Sequence, residues 1–307
     1  MVDPDPFTRA GASATRYGPG VTVVWRGDFP DPFLLQTQGR WFAYGTQTRD
    51  LDVQVMTSSD LLTWTHLGNA LAGLPRWAAP GHTWSPAVLP RPDGYVLYYV
   101  TRLRAAGRQA LSVAVADRPE GPYVDASDEP LVYQRSRGGS IDPDPFVDAD
   151  GTPYLLWKSD DNALGGRTVL WVRQLRPDGL GFDGRPVKVL RQELAWQRPL
   201  VEAPSMVLHD GTYHLLYSAG RWESSGYGVG HATATRPTGP FTASSRHGPW
   251  LHGPDGPGGQ SVARGGDGQL HMAYHAWLDG LVGYAAGGAR ALHVDRLDLT
   301  KAVPRLV

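Results

Sequence analysis

The chain has 307 residues, enough for one large domain or two small ones with a sizeable core, and a formal net charge of -1 from 29 Lys+Arg against 30 Asp+Glu. This near-neutral balance, with no basic run of five to eight residues, gives no electrostatic footprint for nucleic acid or an anionic membrane. The absence of cysteine excludes disulfides, zinc–thiolate sites and thiol nucleophiles, and no run of about 18 apolar residues predicts a membrane span.

The opening "MVDPDPFTRA" is acidic and Pro-rich, without the basic and apolar regions of a secretory signal. Residues 1–20 read as an N-terminal tail, and both a cytoplasmic location and secretion after signal removal stay open. Asp3 and Asp5 precede prolines and no strand follows, so they read as turn residues. From residue 21 to 307 the chain reads as a single domain, because no linker or low-complexity segment divides it.

A turn glycine followed by an aromatic-rich strand then recurs: "GRWFAYGT" from Gly39, "GYVLYYVT" from Gly94, "GTPYLLWKS" from Gly151, "GTYHLLYSA" from Gly211 and "GQLHMAYHA" from Gly268. Each run alternates or is apolar over about five residues, which is strand periodicity. A second hairpin follows in each unit, as in "VQVMTSSDLLTWTHLG" and "LSVAVADRPEGPYVD", with "ARALHVDRLDLT" a shortened last copy. Two hairpins per unit, five times over, predict an all-β fold: a five-bladed β-propeller with blades beginning near Asp31, Trp84, Asp142, Glu202 and Gly259.

The innermost strand of a blade lines the central channel, so residues 8–10 positions before each turn glycine are expected to converge. Those positions hold Asp31, Trp84/Ser85, Asp142, Glu202 and Gly259/Gln260. One Asp before Pro is more often a turn initiator than a catalyst. Carboxylates in three of five equivalent positions, without Cys or a metal-ligand His cluster, suit acid/base hydrolysis of a glycosidic bond.

At these residues the chain resembles glycoside hydrolase family 43, propeller hydrolases of arabinofuranosides and xylosides, over about residues 20–300. "GDFPDPFLLQTQGRWFAYGT" resembles the first-blade motif, which implies Asp31 as general base. "TWSPAVLPRPDGYVLYY" resembles the second-blade Trp-x-Pro motif. "IDPDPFVDADGTPYLL" resembles the motif whose first Asp modulates the acid's pKa, here Asp142, and "VEAPSMVLHDGTYHLLYSAG" the motif of the general acid, here Glu202. The longer third motif selects Asp142 over Asp144. The resemblance implies an inverting glycosidase, with acid and base roughly 6.5–9.5 Å apart.

The resemblance further implies removal of α-L-arabinofuranosyl units from arabinan, arabinoxylan or their oligosaccharides, with β-xylosidase and endo-1,5-arabinanase as alternatives. The chain stops after its fifth unit, without the C-terminal β-sandwich of many xylosidase relatives, which tilts the expectation to arabinose. Phe33, Trp84 and Arg290 are candidate substrate contacts. No cofactor is expected, and the case for a central calcium weakens because Gly259 stands where relatives carry His, so a metal ligand set stays unassigned. His275, in "MAYHAW", reads first as a core histidine. A retaining fructan-active or sialidase-like propeller does not match "FPDPF" and "VEAP". A non-catalytic binding propeller predicts loss of an axial carboxylate, and all three are present.

Overall fold

The computed structural model describes residues 22–307 and, as backbone only, the short strand β1, Thr15–Arg16. The acidic stretch holding Asp3 and Asp5 lies outside the described residues. Strand β2 is Thr22–Trp25. Blade one comprises β3 (Phe33–Thr37), β4 (Arg40–Gly45), β5 (Gln54–Ser58) and β6 (Thr65–Asn69). Blade two has β7 (Ala78–Arg91), β8 (Gly94–Leu103) and β9 (Gln109–Ala116), its outer edge reduced to bridges such as Val115 with Val124. Blade three has β10 (Ser140–Val147), β11 (Pro153–Ser159), β12 (Val169–Gln174) and β13 (Val187–Arg191). Blade four has β14 (Val201–His209), β15 (Thr212–Ala219), β16 (Gly228–Ala234), β17 (Thr242–Ala243) and β18 (Leu251–His252). Blade five has β19 (Gly258–Arg264), β20 (Leu270–Trp277), β21 (Arg290–Asp298) and β22 (Arg305–Leu306). The five sheets are the five-bladed β-propeller expected from the repeat.

The apolar faces are buried between blades rather than in one central core. Leu35, Phe42 and Tyr44 of blade one pack on Val88, Leu97 and Tyr99 of blade two, and four further clusters fill the remaining blade junctions. A blade alone would leave both faces wet, so neighbours stabilise each other by burial.

The shortened last copy has a structural reason. Its missing outer strand is β2, from the other end of the chain, which pairs antiparallel with β21 (Val23 opposite His293) and is itself flanked by β1. The ring is thus closed by a strand borrowed across the whole sequence. Val24 of β2 is buried against Trp41, Ala43 and Leu292 of the blade-five/blade-one junction. Val24→Ala should cost about 2 kcal/mol, read as a lower urea midpoint with an unchanged slope.

Candidate active site

The five inner strands, β3, β7, β10, β14 and β19, share one local device at the end where the channel opens. Asp31, Ser85, Asp142, Ala203 and Gly259 all have left-handed backbone, with φ of 51°, 46°, 56°, 47° and 58°. In four blades the next residue is proline: Pro32, Pro86, Pro143 and Pro204. The pairing register slips around this dipeptide in β7, β10, β14 and β19, a bulge that breaks strand alternation and re-aims side chains. Four non-glycine residues held at positive φ mark a strained ring, the kind of strain that collects at functional sites.

This ring corrects the alignment drawn from spacing. Ala203, not Glu202, is the blade-four counterpart of Asp31 and Asp142, and Glu202 lies one residue before it. The counterparts of Glu202 are Pro30, Trp84, Ile141 and Gly258. Glu202 therefore approaches from a different direction than the two aspartates, although all three line one cavity of about 420 Å³ together with Trp84, Tyr227 and Arg290.

The side chains opposite these positions, on the second strand of each blade, form a supporting ring. In blades one, three, four and five this side chain reaches forward to the axial turn of the next blade, whereas in blade two the buried Thr101 hydroxyl has no partner among the described residues. Thr46 accepts the Ser85 N–H (2.9 Å) and donates to Asp31 Oδ2 (2.8 Å). Ser218 accepts the Gly259 N–H (2.9 Å), and His275 Nδ1 accepts the Asp31 N–H (3.0 Å). Lys158, 1% exposed, reaches Glu202 Oε2 at 3.5 Å and Asp160 at 3.2 Å.

Asp142 ties three blades together. Its Oδ1 accepts from Ser85 Oγ (2.9 Å) and its Oδ2 from the Ala203 N–H (2.8 Å). Burial and then the charge of Glu202 push its carboxyl up to about 7. Burial also raises the Glu202 carboxyl, against the pull of Lys158 and of the Tyr227 hydroxyl, which donates to Oε1 at 2.8 Å. Glu202 is thus biased towards holding a proton in an enclosed wall of the cavity.

Burial pulls the Lys158 ammonium down, but Glu202, Asp160 and Asp142 together outweigh it and hold its pKa above the ordinary value. A glutamate acting as an acid loses activity as pH rises through its pKa, and Lys158 lowers that pKa. Lys158→Met should therefore move the alkaline limb of the pH–rate profile upward. It should also lower stability by on the order of 3 kcal/mol by leaving buried carboxylates unpaired. Rate profiles and urea denaturation read the two effects separately.

Arg290 stands beside Asp31, with Nη1 3.7 Å from Oδ1. Its guanidinium lies 4.5 Å from the Trp222 ring centroid and donates to the Tyr284 hydroxyl, at 2.9 Å from Nη2. That hydroxyl in turn donates to Asp28 at 2.9 Å. Trp84 lines the cavity, as the sequence suggested. Phe33 does not: it packs on the blade-one/blade-two core and lines a narrow axial channel of about 30 Å³ beneath the carboxylates. The reason is the left-handed turn at Asp31, which cancels the expectation that residues two apart share a face.

His275 is not a satisfied core histidine. It is fully buried, and its Nε2 has no partner among the described residues. Its Nδ1 also lies 3.5 Å from Asp31 Oδ1, but burial holds the imidazole well below its usual pKa, so the pair is not an ion pair. The axial residues do not form a calcium cage. Gly259 offers no side chain, and Gln260 has its amide oxygen bonded to Ser218 Oγ (2.8 Å) and its amide nitrogen to the Ala203 carbonyl (2.6 Å). A calcium ion needs six to eight oxygen ligands.

Comparison with known proteins bears on the chemistry of this cavity. The sequence profile of Glycosyl hydrolases family 43 matches residues 22–300. The chain is 28% identical, over 91% of its length and 82% of the relative's, to the β-D-galactofuranosidase xynD of Aspergillus niger. It is 25% identical over 69% of its length to the extracellular endo-α-(1→5)-L-arabinanase 2 of Bacillus subtilis, and spans about half of that relative, 49%. The crystal structure of a thermostable family-43 glycoside hydrolase superposes with a TM-score of 0.83 at 26% identity, covering 95% of this chain and 96% of that one.

Proposed function

The chain belongs to glycoside hydrolase family 43, and from that premise we propose that it cleaves α-L-arabinofuranosyl linkages of plant-type arabinan or arabinoxylan with inversion of configuration. The observation that carries this reading is the meeting of Asp31, Asp142 and Glu202 in one cavity. Asp31 is the general base: it takes a proton from a water that attacks the anomeric carbon. Glu202 is the general acid: it gives its proton to the departing glycosidic oxygen as the C–O bond breaks. Asp142 and Glu202 repel one another when both are charged, so the pair retains a proton for the acid, and Asp142 ties its blade to the next. The step calls on no cofactor.

The relatives' names support furanose chemistry. They include arabinanases and an "Arabinoxylan arabinofuranohydrolase" beside the galactofuranosidase. That last relative favours a second reading, β-D-galactofuranosyl transfer to water. The two sugars share ring configuration from C1 to C4 and differ in the chain on C4, so one pocket could discriminate them only beyond the ring. A cavity of about 420 Å³ is the size of a small-ligand pocket, which favours release of single terminal sugars over endo cleavage.

The test is a screen of p-nitrophenyl α-L-arabinofuranoside, β-D-galactofuranoside and β-D-xylopyranoside, followed by linear arabinan. We expect the arabinofuranoside to be turned over fastest. Proton NMR of the first product should show the β-anomer of arabinose. An initial α-anomer would overturn the inverting assignment, and turnover of the xyloside alone would overturn the sugar.

A further inference from the structure

The stretch "GPGGQ" in blade five is not explained by the acid/base reading. Gly258 has ordinary backbone, so its requirement is one of space: a Cβ there would lie 2.1 Å from Tyr227 Cε1 and 2.9 Å from Ser218 Oγ. At Gly259 a Cβ would lie 2.5 Å from His275 Cε1 and 2.8 Å from Asp31 Oδ1. The two glycines thus open adjoining seats, one for Tyr227 and one for His275. The two rings lie parallel in those seats, 8° apart in plane with centroids 6.0 Å apart. Each ring holds a different carboxylate-bearing residue. His275 Nδ1 takes the Asp31 N–H at 3.0 Å, and the Tyr227 hydroxyl donates to Glu202 Oε1 at 2.8 Å.

We propose that the His275–Tyr227 pair, seated on Gly258–Gly259, is a spacer that fixes the position of Asp31 relative to Glu202. The inference rests on the reading of those two residues as base and acid. Carboxylate separation decides whether a water fits between sugar and base, and hence the stereochemical course. A displacement of about 1 Å in such a constellation can cost about 100-fold in rate. His275 and Tyr227 act here as positioning residues. His275 is the blade-five member of the supporting ring of Thr46, Lys158 and Ser218, and it reaches Asp31 through the backbone rather than the reacting oxygens.

The test compares His275→Phe, which keeps the ring and loses the acceptor, with His275→Asn, whose Oδ1 can take the same N–H. We expect His275→Phe to lower kcat roughly 10–100-fold on the aryl arabinofuranoside with KM within about threefold, and His275→Asn to recover about tenfold of that loss. Phe activity within about twofold of wild type, or equal losses in both variants, overturns the spacer. Tyr227→Phe serves as a second measurement should the histidine variants not fold. It keeps the ring and removes a bond that lowers the Glu202 pKa, so the alkaline limb of the kcat profile should move up. An unmoved limb with unchanged kcat overturns the proposal. Asp31→Asn and Glu202→Gln, assayed on an alkyl arabinofuranoside whose poor leaving group needs a proton, separate the two readings: if both stay active the acid/base assignment fails, and if both are dead while His275→Phe and Tyr227→Phe match wild type only the spacer fails.

Discussion

Glu202→Gln should lower turnover of arabinofuranosides with poor leaving groups by about 10²–10⁴-fold, while an activated aryl glycoside, whose phenolate departs without a proton, loses far less. The substitution is nearly isosteric. Tyr227 can still donate to the amide oxygen that replaces Oε1, so the wall of the cavity keeps its shape. What disappears is the transferable proton and the negative charge facing Lys158 at 3.5 Å. The contrast between the two leaving groups is the diagnostic quantity, because a folding defect would depress both alike. Equal losses on both substrates, or near-wild-type rates on the poor one, would sink the assignment of Glu202.

The propeller was legible because its repeat is written locally: a turn glycine and an apolar strand, five times. The site was legible only to the extent that its residues sit in such local motifs. Asp31 and Asp142 announce themselves by the following proline, which accompanies the left-handed turn that aims them. Glu202 stands out by its motif, but its place in the ring was misread by one residue: β10 and β14 carry the same bulge, and the stretch from ring residue to turn glycine is one residue longer in blade three (142 to 151) than in blade four (203 to 211), which counting back from the glycine cannot see. The supporting ring did leave a trace. Thr46, Lys158, Ser218 and His275 each follow their turn glycine by seven positions, and Lys158 is a charge inside an otherwise apolar run. That trace lies downstream of the glycine, whereas the axial residues lie upstream. Closure by β2 and the contact of His275 with Asp31 join residues more than 240 positions apart. No local pattern encodes such a contact, because it exists only once the blades have stacked.

The choice between Asp142 and Asp144 turns on the same geometry and yields the sharpest contrast. Asp144 occupies the position of Ser205 and Ser261, two residues after the left-handed turn. Those two serines accept the Val262 N–H (3.2 Å) and the Leu34 N–H (2.9 Å) of the following blade, and Asp144 accepts the Met206 N–H (3.2 Å) in the same way. It is an inter-blade clasp, 7% exposed, lining the narrow channel rather than the cavity. Asp142 faces the cavity beside Glu202. Asp142→Asn should therefore lower kcat at least about tenfold at neutral pH and shift the alkaline limb to lower pH, since one unit of pKa on the acid is tenfold in its protonated fraction. Asp144→Asn should keep most activity and change stability instead. Burial holds the Asp144 carboxyl up at about 8, above the unfolded value of about 4. The folded state therefore binds the extra proton between those values, and stability contributed by the protonated form is present below pH 4 and lost as pH rises to 8. Asn cannot ionise, so Asp144→Asn should flatten that decline and unfold at higher urea than wild type at pH 9. Loss of activity in Asp144→Asn with full activity in Asp142→Asn would reverse the two roles.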